Sequence, residues 1–349
     1  MGKAVTVVAR LLAAFFAFLF VLSATAFIFA FVARVHLLRP APYKQALAEV
    51  NAYDQAPAAL AELLAMAGGP QRSAFLQLQQ EDYEILLQRV LPREWLQSQT
   101  EAIIDHVFAA TDAPGEAPTM TISLAALKQN LDSEAGGQAL LEIIRRRPAC
   151  SIGDLSALTC GFDLSGAIQC RPPEPQLQLC GEAASGAFAA AAATLPDQIT
   201  LSGLLQAGAP LRQLVEEAGG PYPALVRQTA RFGWVAALFF LLLVTAFGAR
   251  SLRSLLLWWG APVVALGAAL VLLALFTWLA PTWFLNYVLA DVQAAAPQLG
   301  RLLMEAVAVL GRRMALWLGV AGMAAGAGGL ILALVSFLAP RPRRQTQQR

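Results

Sequence analysis

The chain has 349 residues, of which 57% are hydrophobic and only 14% charged, whereas an ordinary soluble domain is roughly half apolar and about a quarter charged. A formal net charge of +2 is too small to mark a nucleic-acid binder, and the only basic cluster follows Pro340. The apolar excess is concentrated in uncharged runs at 11–33, 232–249, 255–280 and 314–339, while 40–230 holds nearly all the acids, which points to a membrane solvent rather than a uniformly greasy soluble protein.

The N-terminal segment, 1–33, carries the first of these runs. About 20 apolar residues are needed to cross a hydrocarbon core roughly 30 Å thick as a helix, and Leu11 to Ala33 suffices. Lys3, Arg10 and the Ala24-Thr25-Ala26 triplet offer a competing reading as a cleaved signal peptide. Strong hydrophobicity continues past that site through Phe27, Ile28, Phe29, Phe31 and Val32, so an uncleaved anchor is the stronger expectation. Basic residues are almost all Arg, with Lys only at Lys3, Lys44 and Lys128. With abundant Ala, Gly and Leu, this is the usage expected of a GC-rich bacterial gene.

Residues 34–231 form a water-facing segment long enough for its own core. Apolar positions spaced by three and four predict helices over 57–67, 81–91 and 93–110, the last through Trp95, Leu96, Ile103, Ile104, Val107 and Phe108. A further helix is predicted over 136–147, ended by Pro148, and the alanine-rich 183–193 reads as another. Only 120–124 and 198–201 read as strands, short enough to form at most a small β element.

All four cysteines, Cys150, Cys160, Cys170 and Cys180, lie in this segment. An even number confined to a region placed outside the cytoplasm predicts two structural disulfides. Three pairings are open, among them the nearest-neighbour set, 150 with 160 and 170 with 180. Zinc is disfavoured because the nine-residue gaps do not match C-x2-4-C spacing and no His is near. Catalytic patterns are not expected either. Glu101, Asp105 and His106 do not present three ligands on one helical face, His36 adjoins the first span's boundary, and no nucleophile elbow, phosphate loop, dinucleotide fingerprint or zinc-protease motif occurs. No cofactor and no metal are predicted.

The second span, 232–249, is short but rich in Leu and Phe; the third, 255–280, is longer. Between it and the fourth span, 281–313 places Leu285, Val288, Leu289, Val292, Leu299, Leu302 and Leu303 on one helical stripe, interrupted at Pro297. That pattern suits either a helix lying on the membrane or a stalk beneath the water-facing domain, with the stalk favoured. In the fourth span, 314–339, Ala315, Gly319, Gly322, Gly326, Gly329 and Ala333 recur in steps of four and three. Such small side chains let a second helix approach closely. Gly260, Gly267 and Ala274 give the third span a sparser counterpart, so packing of these two spans on each other is expected ahead of homo-oligomerisation through the stripe.

Arg250 and Arg253 lie between the second and third spans, and Arg341, Arg343, Arg344 and Arg349 in the tail 340–349. Together with Lys3 and Arg10 they put both termini in the cytoplasm of a cell whose plasma membrane the chain crosses. Six of the seven tryptophans (Trp234, Trp258, Trp259, Trp278, Trp283 and Trp317) fall near span ends, as interfacial aromatics do. No ionisable residue lies within the spans as drawn, which argues against a stand-alone pump or ion-coupled transporter. The predicted fold is an all-α membrane protein with four transmembrane helices (1 + 3) and a large, mainly helical, disulfide-stapled extracytoplasmic domain.

The expected function is non-catalytic: besides the lipid bilayer, the chain is expected to meet a protein partner, an envelope component or its own copies, and no nucleic acid. In layout alone, one span, a large outer domain and three spans, the chain resembles the mechanotransmitting ABC permease subunits, which would make it part of a larger transport or envelope machine. A surface enzyme acting on lipid or envelope polymer through Glu81, Asp82 or Glu101 is the least favoured alternative.

Overall fold

The computed structural model describes residues 3–67, 79–112, 121–131, 133–151, 170–194, 197–200, 221–249, 251–288, 293 and 296–338. Their helices, in chain order, are α1 (Lys3–His36), α2 (Pro40–Glu49), α3 (Ala52–Ala67), α4 (Gln80–Val90), α5 (Arg93–Asp112), α6 (Ala125–Leu131), α7 (Glu134–Arg145), α8 (Glu174–Thr194), α9 (Pro221–Gly248), α10 (Leu252–Val288) and α11 (Pro297–Leu338). The chain divides into two compact units. Unit 1 comprises Met1–Pro42, Ala218–Phe284 and Val307–Arg349, and unit 2 comprises Tyr43–Glu217 and Leu285–Ala306.

Unit 1 contains α1, α9, nearly all of α10 and most of α11. Four stretches are long and apolar enough to cross a membrane: Val7–His36, Ala224–Gly248, Leu252–Leu279 and Pro297–Leu338, as in a multi-pass membrane protein. Its core draws on all four helices, through Phe20, Ala24 and Val32 of α1, Ala237 of α9, Leu266, Leu270 and Ala274 of α10, and Met314 and Leu318 of α11. Only 17% to 28% of an 18-residue apolar window in each span is buried, and Phe18, Leu238, Phe276 and Leu334 are among the large apolar side chains left exposed. In water that would be an aggregation surface. In hydrocarbon it is the required outer face of helices whose backbone is satisfied internally.

Helices α9 and α10 are clasped as a hairpin by polar groups. The Trp259 indole donates to Thr245 Oγ1 at 2.8 Å, that hydroxyl donates to the Leu241 carbonyl at 2.9 Å, and Ser254 Oγ donates to the Gly248 carbonyl at 2.9 Å. Gly248 is tightly packed: a Cβ there would meet the Trp258 ring at 3.0 Å, so the ring would have to give way. The short apolar run at 232–249 is thus the end of a longer helix that begins at Pro221.

Unit 2 is helical apart from one two-stranded antiparallel pair among the described residues, β1 (Thr121–Ser123) and β2 (Gln198–Thr200), with Ile122 opposite Ile199. The two short β segments read from the sequence pair with each other, although Met120 and Leu201 lie outside the described residues. One core packs α4, α7 and α8 through Ile85, Leu140, Ile143, Ile144 and Leu177. The apolar residues of α7 fall on one face, so burying them fixes the helix's rotation. A second cluster joins α2 and α3 to the start of α11, where Ala52, Ala59 and Leu302 are buried against Leu47, Val50 and Leu299. The turn between α2 and α3 is made at Asn51, whose φ of 51° is left-handed and suits Asn, the residue other than Gly that most readily caps a helix this way.

The segment from 281 to 313 therefore does not behave as one piece. Residues 281–288 continue α10, and Leu289, Asp291 and Val292 lie outside the described residues. From Pro297, where a missing N–H is harmless at the first helical position, α11 runs unbroken for 42 residues, so that the end of this segment and the fourth span share one helix.

The units also differ in charge. All 23 acidic residues of the chain belong to unit 2, with 11 of the 25 Lys and Arg, whereas the other 14 belong to unit 1. A chain of formal charge +2 thus consists of a unit at +14 and a unit at −12.

Candidate functional site

Of the charged side chains in unit 2 that the sequence singles out, Asp82, Glu101 and Asp105 are engaged in holding helices together. Asp82, in the first turn of α4 and 4% exposed, accepts from the backbone N–H of Gln79 at 3.0 Å. It thereby satisfies one of the orphan donors at that helix start. The same carboxylate oxygen takes a charged hydrogen bond from Arg147 Nη2, just past α7. Arg147 Nη1 also reaches Gln79 Oε1 at 3.3 Å, while its Nε is buried without a partner among the described residues. Neighbouring Glu81 is exposed.

Glu101 and Asp105, one turn apart on α5, both face Lys44 of α2, with Nζ 2.7 Å from Asp105 Oδ2 and 3.7 Å from Glu101 Oε2. The hydrogen bond to Asp105 is the main reason the Lys44 ammonium is held above its ordinary pKa. Gln97 donates to Glu101 Oε1 at 2.7 Å. Tyr53 of α3 is 3% exposed and its hydroxyl has no partner among the described residues; burial, then the charge of Glu101, raises its pKa. Tyr43 packs on Phe108 at 5.2 Å between ring centroids, and burial raises its phenol likewise. Asp82 and Glu101 thus engage different cations, Arg147 just past α7 and Lys44 on α2. His106 is half-buried on α5. His36 lies at the end of α1 in unit 1, its ring stacked 6.2 Å from Trp317.

Sequence inspection did not single out Glu62. It is 6% exposed on α3, and its Oε2 accepts from the Gln298 backbone N–H at 2.9 Å, 236 residues away. A carboxylate at the start of α11 satisfies a free N–H and meets the positive end of the helix dipole. The available signal was a lone acid within the apolar 57–67 pattern, combined with Pro297 at a helix start.

Cys150 and Cys170 lie between α7 and α8. Cys150 and Cys170 form a disulfide, with 4.9 Å between Cα atoms. The backbone carries the same link: Cys150 N–H donates to the Arg171 carbonyl at 3.0 Å and Arg171 N–H to the Pro148 carbonyl at 2.7 Å. The nearest-neighbour pairing is therefore replaced by one that closes a longer loop. Cys180, buried on α8, is also disulfide-bonded; Cys160 lies outside the described residues.

The small-residue stripe of α11 divides in two. A Cβ on Gly322 would fall 2.9 Å from the Gly267 carbonyl oxygen, and one on Gly329 would fall 2.6 Å from the Val264 nitrogen and 2.9 Å from the Gly260 carbonyl oxygen. From the other side, a Cβ on Gly260 would meet the Gly329 carbonyl oxygen and the Ala333 nitrogen at 3.0 Å. Gly260, Gly267, Gly322 and Gly329 are therefore where the backbones of α10 and α11 touch. Ala315 is buried on α11. Gly319 and Gly326 have space: the nearest atom to a Cβ on Gly319 is 3.9 Å away, and none lies within 4 Å for Gly326.

No group of three or more His, Cys, Asp or Glu side chains suited to a metal occurs among the described residues. Comparison of the chain with protein-family models, with curated proteins and with solved structures returns no match to any of them. What its own residues establish is a helical multi-pass membrane protein with four candidate spans and a disulfide.

Proposed function

We propose that the protein works by binding rather than by catalysis, as a multi-pass protein of a bacterial plasma membrane with both termini in the cytoplasm. In this reading unit 2 is an extracytoplasmic domain that recognises a protein partner or an envelope component. The supporting observation is how unit 2 uses its ionisable groups. Asp82 with Arg147, Lys44 with Asp105 and Glu101, and Glu62 with the start of α11 each join two helices, the use that rigidifies a recognition surface. Disulfides in this unit accord with an oxidising compartment, and its charge of −12 favours a cationic contact surface on the partner.

The test is site-specific photocrosslinking in intact cells from exposed positions of unit 2, such as Glu81 and Gln88. One discrete adduct formed from one face and absent from the opposite face supports the reading. Substrate turnover by the purified full chain in a broad hydrolase screen, abolished by Glu101→Gln, would overturn it. A second reading, as a subunit of a transport or envelope machine, is favoured by α11, a single helix that contributes to both units. Purification in native detergent that never recovers an ATPase would count against that reading.

A further inference from the structure

One end of unit 1 is basic and has no acid of its own to balance it. Arg34 and His36 end α1 and Arg39 follows; Arg227 and Arg231 lie in the early turns of α9; Arg312 and Arg313 precede the apolar part of α11. Contacts between the helices set the heights of these side chains. Gly233 lies against Phe27, where a Cβ would be 3.1 Å from Phe27 Cβ, and Phe16 stacks on Phe240 and Phe247, so α1 and α9 run antiparallel. At about 1.5 Å per residue, Arg34 then stands ~10 Å beyond the Phe27 contact and Arg227 ~9 Å beyond it. The stacking of His36 on Trp317 places Arg312 and Arg313, about one turn before Trp317, at the same end of the unit.

We propose that this belt holds the headgroups of anionic phospholipids in the adjoining leaflet. Arg34, Arg39, Arg231 and Arg312 are exposed, and no ion pair is recorded for any of them among the described residues. Every acid of the chain lies in unit 2, and the acid nearest to these arginines in sequence, Glu305 of α11, is seven residues before Arg312 and forms no ion pair with it among the described residues. The contacts recorded for two of these arginines leave donors free: the Arg231 guanidinium carbon lies 5.2 Å from the Phe232 ring centroid, and Arg312 Nε donates to the Ala308 carbonyl at 3.3 Å. Each guanidinium carries five N–H donors in a fork that matches a phosphate. Apolar side chains flank them: Leu225, Phe232, Trp234 and Val235 are all exposed, as acyl-chain contacts would be. Arg231, roughly one turn deeper than Arg227, reaches the headgroup layer by extending its stem along the helix. Zwitterionic lipid also offers phosphate, but an unbalanced cluster of cations selects the species with net negative charge.

The full chain is reconstituted in phosphatidylcholine vesicles, and the selectivity of the first lipid shell is measured with spin-labelled phosphatidylglycerol against spin-labelled phosphatidylcholine. Wild-type protein prefers phosphatidylglycerol, and the preference weakens with salt. Each basic side chain near a charged surface is worth about 5-fold in affinity, so Arg34→Gln with Arg231→Gln lowers the preference at least several-fold, whereas Arg10→Gln with Arg253→Gln, at the other end of the spans, lowers it less. Far-ultraviolet circular dichroism checks that each variant is folded, and the single substitution Arg34→Gln serves if the double variant is not. An unchanged preference in the folded Arg34/Arg231 variant, an equal loss from the Arg10/Arg253 variant, or insensitivity to salt would each overturn the proposal.

Discussion

Replacing Gly267 by alanine tests the α10–α11 seam directly. The added Cβ would lie 2.5 Å from the Gly326 nitrogen, 2.7 Å from the Gly322 carbonyl oxygen and 2.7 Å from the Gly326 Cα. These atoms are backbone, so no side chain can rotate aside. Ordinary carbon contacts fall at about 3.5–4.0 Å, so the helices must separate locally by about 1 Å. A gap of that size loses roughly a quarter to a half of each dispersion contact along the seam, and overpacking of this kind costs about 1–3 kcal/mol. Alanine's better helix propensity returns up to ~1 kcal/mol, leaving a net loss of about 0–2 kcal/mol against the wild type and the full cost of about 1–3 kcal/mol against Gly326→Ala, which gains the same propensity. Gly326→Ala, seven residues before Ala333 on the same small-residue stripe, has nothing within 4 Å of the new Cβ, and is expected to be neutral or slightly stabilising. Unfolding by sodium dodecyl sulfate from mixed micelles, followed by tryptophan fluorescence, orders the three proteins. If Gly267→Ala is as stable as Gly326→Ala, the seam does not hold these helices together.

Further expectations concern unit 2. Asp82→Ala leaves the Arg147 guanidinium half-buried without its carboxylate and removes the α4 cap, for a loss of about 3–5 kcal/mol in urea unfolding of the reconstituted chain. Opening the Cys150–Cys170 disulfide, whose cysteines are 20 apart in sequence, costs about 3 kcal/mol in the chain-entropy view, and non-reducing peptide mapping should recover that link and not 150 with 160. Glu62→Ala uncaps α11 at a cost of about 1–2 kcal/mol, read as faster amide exchange at Gln298. Lys44 and Tyr53 have raised pKa values, so the folded form holds these protons more tightly. Their contribution is complete below the ordinary values near 10 and is lost as pH rises through the folded ones, an alkaline loss that Lys44→Met should diminish. Asp197 has the opposite sign: the hydrogen bond from Lys128 lowers its pKa, so its contribution is present above the ordinary value of 3.8 and is lost as pH falls through the folded one. Thermal unfolding across pH checks both arms.

The spans were legible because length and apolarity suffice in lipid, and the helices of unit 2 from 52 to 112 because each has an apolar face. Ile122 and Ile199 sat in segments short and β-branched enough to be read as strands. Other features left no local trace. The periodicity of 40–49 is weak around its two prolines, so α2 was not foreseen, and the polar first turns of α9 hid a helix that begins eleven residues before its apolar run. Cys150, Cys160, Cys170 and Cys180 are evenly spaced, so spacing carries no information about which pair. The small-residue stripe gave one helix face, but only the neighbouring backbone separates Gly322 and Gly329 from Gly319 and Gly326. Asp82 and Arg147 are 65 residues apart and Glu62 and Gln298 are 236 apart; such pairings exist only once the chain has folded.

The division of charge also separates how the two units respond to acid. Of the 14 cations in unit 1, 13 are arginines and the other is Lys3, and arginine does not release its proton in any range a cell visits. Apart from His36, the charged side chains of unit 1 therefore keep their charge from mildly acidic to mildly alkaline conditions. Unit 2, with all 23 carboxylates, takes up nearly every proton the chain can bind below neutrality, so acidification would change the sign of one unit while leaving the other as it was.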